Sequence, residues 1–192
     1  MKSSRLILLV SLMRSFMALM MVMSFGAVGS ASPQQPKPKS FAQWCSQKKS
    51  VPAATRHTIN VLLKKAGTKN CQRADVKLRS LTELQLNDNK IVDVQPLAGL
   101  SNLTSLLLRE NQIVDVQSLA RLSNLTSLFL SDNKIVDVKP LAGLSNLTVL
   151  SLGANQIIDV KPLAGLSNLT DLLLDDNKIA IKTCPIKPES GV

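Results

Sequence analysis

From Leu81 onward the sequence repeats itself every 22 residues, which commits the chain to stacking one small unit on the next. Full copies begin at Leu81, Leu103, Leu125 and Leu147, and a partial fifth begins at Leu169. Each copy has seven aliphatic positions at fixed spacing, in the second copy Leu103, Leu106, Leu108, Ile113, Val116, Leu119 and Leu122. That is too few to close a core within one copy, so neighbouring copies must share it. Aromatic residues contribute little, because Tyr is absent and Phe129 is the only Phe or Trp after residue 44.

Within each copy the alternation around Leu106, Leu107 and Leu108 predicts a short strand with one buried face. The column Asn89, Asn111, Asn133, Asn155 and Asn177 follows each strand. Asn side chains satisfy backbone groups where a chain turns, so this column is read as a buried hydrogen-bonded ladder. A second column, Asp93, Asp115, Asp137 and Asp159, precedes Val and then, three residues on, Pro, Ser, Pro and Pro. Capping of a short helical turn is the expectation there. Calcium would need six to eight converging oxygens, and one Asp per copy supplies too few.

The pattern LxxLxLxxNxIxDVxPLxxL resembles the 22-residue leucine-rich repeat typified by bacterial internalins, and the resemblance covers residues 81 to about 180. It implies an α/β repeat fold: a short right-handed solenoid with a parallel β-sheet on the concave face, helical or irregular turns on the convex face, and a helical N-terminal cap. It also implies protein ligands on the concave side. The motif Asn-Leu-Thr at Asn102, Asn124, Asn146 and Asn168 matches a glycosylation acceptor. In a bacterial host, which the resemblance implies, these are structural residues at the junction of units.

The rest of the chain divides around the array. Residues 1–31 read as a signal peptide, with Lys2, Arg5 and Arg14 before an apolar stretch from Phe16 to Val28 and small residues up to Ala31. About 15 apolar or small residues follow Arg14, fewer than the roughly 20 that span a bilayer, so cleavage is expected and an uncleaved anchor is the alternative. Residues 32–40 form a Pro-rich linker and residues 41–80 a helical cap over the first unit, with Ser50 as a helix start, Ile59, Leu62 and Leu63 at helical spacing, and Gly67 as the stop. Phe41 and Trp44 are expected to pack on that helix, and His57 is read as an ordinary surface or cap residue. Residues 181–192 are read as a minimal C-terminal cap or tail. Cys45 and Cys71 are expected to pair across the N-terminal cap of an exported chain. Cys184 is then left as a buried thiol, an intermolecular partner, or one half of a bridge whose other half is missing.

The formal net charge of +10 is unevenly distributed: residues 32–80 hold eleven Lys or Arg against one acid, while residues 81–192 hold nine against twelve. Basic character therefore belongs to the cap. A nucleic-acid partner is not expected, since the basic residues are not interleaved with stacking aromatics. Neither a metal nor a cofactor is expected, because no Cys-x-x-Cys pair occurs and His57 is the sole His. No acid-base or nucleophile constellation can be assembled, so an enzyme is not expected.

Function should lie where the copies disagree. If the leucines at the first, fourth and sixth positions face inward, the third, fifth and seventh line the concave surface. These positions vary, and Leu107, Phe129, Val149 and Leu173 then form an apolar stripe with Arg109 and Asp175 at its rim. At roughly 4.8 Å per strand, five units span about 20 to 25 Å, which suits a peptide or one small face of a protein. The expected function is thus that of a secreted or envelope-located scaffold binding a protein or peptide. The alternative is an envelope-associated module whose basic cap binds anionic surface polymers.

Overall fold

The fold was analysed in a computed structural model, which describes residues 38–179. The signal segment, residues 32–37 of the linker, Cys184 and the C-terminal cap lie outside the described residues.

Three short helices precede the repeats: α1 (Phe41–Ser46), α2 (Ala53–Ala66) and α3 (Cys71–Arg79). Helix α1 opens with a reciprocal capping box, in which Ser40 Oγ accepts from Gln43 N and Gln43 Oε1 accepts from Ser40 N. Asn70 caps α3 by accepting from Arg73 N. The expected start of α2 at Ser50 is corrected: Pro52 holds the cap position without a side-chain bond, and Ser50 Oγ donates back to Gln47 O in the preceding turn. Gly67 ends α2 at φ 66°, a left-handed geometry that glycine adopts without a Cβ penalty. The spacing of Ile59, Leu62 and Leu63 predicts one helix here; α1 and α3 are additional, α1 being a six-residue helix and α3 carrying Ala74 and Leu78 at helical spacing on its buried face.

Five three-residue strands follow, β1 (Glu83–Gln85), β2 (Ser105–Leu107), β3 (Ser127–Phe129), β4 (Val149–Ser151) and β5 (Asp171–Leu173), in one parallel sheet ordered as in the sequence. The register advances by one repeat per strand, so Leu84, Leu106, Leu128, Leu150 and Leu172 align across it. The opposite side of each of the first four units carries a 3-10 turn, at Gln95–Leu97, Gln117–Arg121, Lys139–Gly143 and Lys161–Gly165. The Asp column starts these turns: Asp93, Asp115, Asp137 and Asp159 Oδ1 each accept from the backbone N–H two residues on, at 2.7 to 2.9 Å. These bonds supply partners for donors that a helical turn leaves free.

Between strand and turn lie the leucine, isoleucine and valine columns, almost all fully buried, in one continuous core that also takes in Phe41, Ile59, Leu62 and Leu78 from the cap. Trp44 packs partly buried against it. Polar ladders run through this core. The Nδ2 of Asn133 donates to Leu108 O and Leu130 O, and its Oδ1 accepts from Ile113 N. Asn111, Asn155 and Asn177 repeat the pattern one unit apart. Each Asn therefore stitches its own unit to the one before. Asn89 has no preceding unit, and its amide reaches only Asn87 O. At the unit junctions, Asn102, Asn124, Asn146 and Asn168 donate to carbonyls 23 residues earlier, which gives the Asn-Leu-Thr motifs a structural role.

Candidate functional site

The cap meets the first repeat through polar contacts on top of apolar packing. Thr55 Oγ1 donates to Asp93 Oδ2, Thr58 Oγ1 donates to Asp93 O at 2.7 Å, and His57 Nε2 lies 2.6 Å from Asn89 O. His57 is thus an exposed residue with a definite partner in the array. Thr55 and Thr58 were missed by sequence reading. Their signal was present, since both interrupt the apolar face of α2 at buried positions beside Ile59 and Leu62. A disulfide joins Cys45 at the end of α1 to Cys71 at the start of α3, with 5.5 Å between Cα atoms. Around it, the buried Asp75 accepts from Ala42 N and pairs with Arg79.

On the sheet, the positions that vary between copies are exposed or partly exposed, except Ser151 and Gly153, which are buried. The pairing sets Leu107 directly beside Phe129 in the fifth-position column, and Arg109 lies over the Phe129 ring at 4.8 Å. The Nε of Arg109 is buried without a hydrogen-bond partner among the described residues. Val149 is half-buried in the neighbouring third-position column, beside Ser127 and Asp171.

The stripe is not continuous. Ser151 stands between Phe129 and Leu173 in the register and is only 2% exposed, its hydroxyl 2.6 Å from that of Ser131. The apolar surface is therefore a Leu107–Phe129 pair flanked by Val149, with Leu173 separate on the last strand at 48% exposure. Beside Ser151, Gly153 leaves a hollow that the Asp175 carboxylate fills, since a Cβ at Gly153 would lie 2.9 Å from both its oxygens. Glu83, Asp88, Glu110, Asp132, Asp171, Asp175 and Asp176 occupy the outward columns and the turn residues after them, with Arg109 as the cation in those columns; Lys90, Lys134 and Lys178 follow two residues after Asp88, Asp132 and Asp176.

An open cleft of about 340 Å³ lies where α2 meets the first turn, lined by His57, Asn60, Lys64, Asp88 and Lys90 among others. Among the described residues there is no group of three His, Cys, Asp or Glu placed to hold a metal ion, and no helix is long and apolar enough to cross a membrane.

Leucine-rich-repeat family models match residues 79–135 and 123–165. Among solved structures, internalin C2 of Listeria monocytogenes is 46% identical with a TM-score of 0.55, covering 58% of this chain and 49% of its own. A second Listeria monocytogenes internalin, internalin F, is 30% identical with a TM-score of 0.60, covering 66% of this chain and 38% of its own. A leucine-rich-repeat protein of Leptospira interrogans is 29% identical with a TM-score of 0.51, covering 57% and 35%. The chain thus spans half or less of the length of these relatives. None of the curated proteins matches it. The 22-residue period, the parallel one-repeat register, the Asn ladder and these likenesses together make the chain an internalin-like leucine-rich-repeat protein.

Proposed function

We propose that this protein is an exported binding scaffold, with no catalytic role, and that it captures a protein or peptide on the outer face of its sheet. One observation carries the reading: Leu107 and Phe129 stand side by side on the solvent face, with Arg109 laid over the ring. The core leucines already satisfy packing, so a Leu–Phe pair here has no structural requirement behind it. Paired aliphatic and aromatic side chains with an Arg are the residue types that anchor interfaces.

The surrounding charge narrows the ligand. The acids of the outward columns, Glu83, Asp171 and Asp175, favour a partner that presents cations to the rim and an apolar side chain to the Leu107–Phe129 pair. Val149, Leu173 and Asp175 are proposed as flanking contacts. Export is supported by the basic-then-apolar N-terminal sequence and by the Cys45–Cys71 disulfide, a bond that persists in oxidising compartments.

The test is a pull-down from the extracellular or envelope fraction of the native host, comparing wild type with the double variant Leu107→Ser, Phe129→Ser. Loss of a defined partner with unchanged circular dichroism supports the reading; equal capture by both overturns it.

A further inference from the structure

We propose that the exposed face of helix α3 docks the protein onto an anionic lipid bilayer, separately from the binding face of the sheet. Residues 41–80 carry nine Lys or Arg against Asp75 alone. Asp75 is buried and already bonded to Ala42 N and Arg79, and that pair is the only ion pair among the described residues. Lys69, Arg73 and Lys77 therefore face solvent with no carboxylate beside them.

Helix stability does not ask for this arrangement. Lys77 and Arg79 in the last turn complement the helix dipole, but Arg73 lies in the first turn, where a cation is unfavourable, and no acid is present there. Arg73 and Lys77 also stand four residues apart, a like-charge pair that costs an isolated helix stability. Lys77 Nζ lies 3.9 Å from where a Cβ at Gly67 would be, which brings the end of α2 with Lys64 and Lys65 beside the same patch.

Val76 selects a bilayer over a soluble polyanion. It is 72% exposed, the most exposed large apolar residue among those described, and it stands one turn from Arg73 on the face opposite the buried Ala74, Asp75 and Leu78. A phosphate polymer in water gains nothing from an isolated valine. At a lipid headgroup layer the same side chain leaves water while its basic neighbours meet lipid phosphates. Nucleic acid is disfavoured because no aromatic side chain stands on this face for bases to stack on.

The unit Lys37–Val192 contains the whole of the described core, from Phe41 to Leu169, and its use removes the apolar segment at 16–28 as a second source of membrane binding. Its partition is measured by co-sedimentation with phosphatidylcholine vesicles with and without 30% phosphatidylglycerol, and its binding to inorganic polyphosphate is measured alongside. Binding at least tenfold stronger to the anionic vesicles, lost in 0.5 M salt, is expected. Arg73→Gln with Lys77→Gln should weaken it about 25-fold, roughly fivefold for each charge near an anionic surface. Val76→Ser should weaken vesicle binding about fivefold and leave polyphosphate binding unchanged. Equal binding to both vesicle types, or vesicle binding indifferent to Val76→Ser, overturns the proposal. All three side chains are exposed, so circular dichroism should be unchanged in every variant.

Discussion

Asn133 Nδ2 donates to Leu108 O at 2.9 Å, while the same side chain's Oδ1 accepts from Ile113 N at 3.0 Å, so one buried amide joins two turns of the solenoid. Neither backbone group has water as a substitute. Replacing Asn133 by Ala should cost about 1 to 3 kcal/mol, read as a lower urea midpoint, because Ile113 N is left unpaired while Leu108 O keeps the bond from Asn111 Nδ2. Asn89→Ala should cost under about 1 kcal/mol, because that amide bonds only to Asn87 O in its own turn. Equal losses at the two positions would contradict the assignment of the ladder.

The glycine column at position 19 of the repeat is required only at its first member. A Cβ at Gly99 would come within 3.2 Å of Lys39 O, where the segment leading into α1 crosses the first unit, whereas at Gly143 and Gly165 it meets nothing within 4 Å. Arg121 already occupies the same column. Gly143→Ala is therefore expected to raise stability by about 0.4 to 1 kcal/mol through the unfolded chain. Gly99→Ala is expected to lower it by about 1 kcal/mol. Thermal unfolding of the two variants decides the point.

The eighth residue of each copy, just after the last outward position, adopts a left-handed backbone, with φ between 50° and 58° at Asp88, Glu110, Asp132, Ala154 and Asp176. Ala154 has neither the freedom of Gly nor the local hydrogen bonding of Asp to offset this. Since the left-handed region costs an L-residue about 1 to 2 kcal/mol, Ala154→Gly should stabilise by roughly 0.5 to 1 kcal/mol after the entropy of Gly is counted. A destabilised variant in chemical denaturation would show that Ala154 is held by contacts the backbone angle does not reveal.

Reduction of the Cys45–Cys71 bond opens a loop of 26 residues in sequence separation, worth about 3 kcal/mol in the chain-entropy model. The loss should be local at first, because the bond braces α1 to α3 and not one repeat to another. Hydrogen exchange under reducing conditions should show faster opening of the cap, with protection of β3 and β4 retained. Simultaneous loss throughout would mean that the cap and the repeats open as one unit.

The interface between cap and array can be tested through Thr55 and Asp93. Thr55→Val and Asp93→Asn, measured singly and together, should show a coupling of about 1 to 2 kcal/mol, because the hydroxyl donates to the carboxylate at a partly buried position. Additive effects would remove this bond from the account of how the first unit is covered.

Much of this molecule was legible without coordinates because a repeat states its own constraints several times over. Leu106, Leu128 and Leu150 occupy one column in the sequence and one row in the sheet, and Asn111, Asn133 and Asn155 occupy one column and one ladder of side-chain hydrogen bonds beyond it. Any residue type demanded by the shared core must recur at the period, so recurrence alone separates packing from everything else. The outward positions could be named by the same logic, since a strand alternates faces residue by residue.

What the repeat could not disclose is where its symmetry is broken. Three facts required coordinates: that Ser151 sinks between Phe129 and Leu173, that Arg109 lies over Phe129, and that the Asp175 carboxylate fills the space above Gly153. Each depends on which side chains from adjacent units meet and how they fill the space between them. The cap shows the same division. Its polar bonds from Thr55, Thr58 and His57 join residues more than 30 positions apart, and no period links a helix to the first unit it covers. Periodic sequence determined the stack because every copy solves the same local packing problem. Tertiary structure decided the surface and the ends, because there each side chain answers to a neighbour that occurs only once.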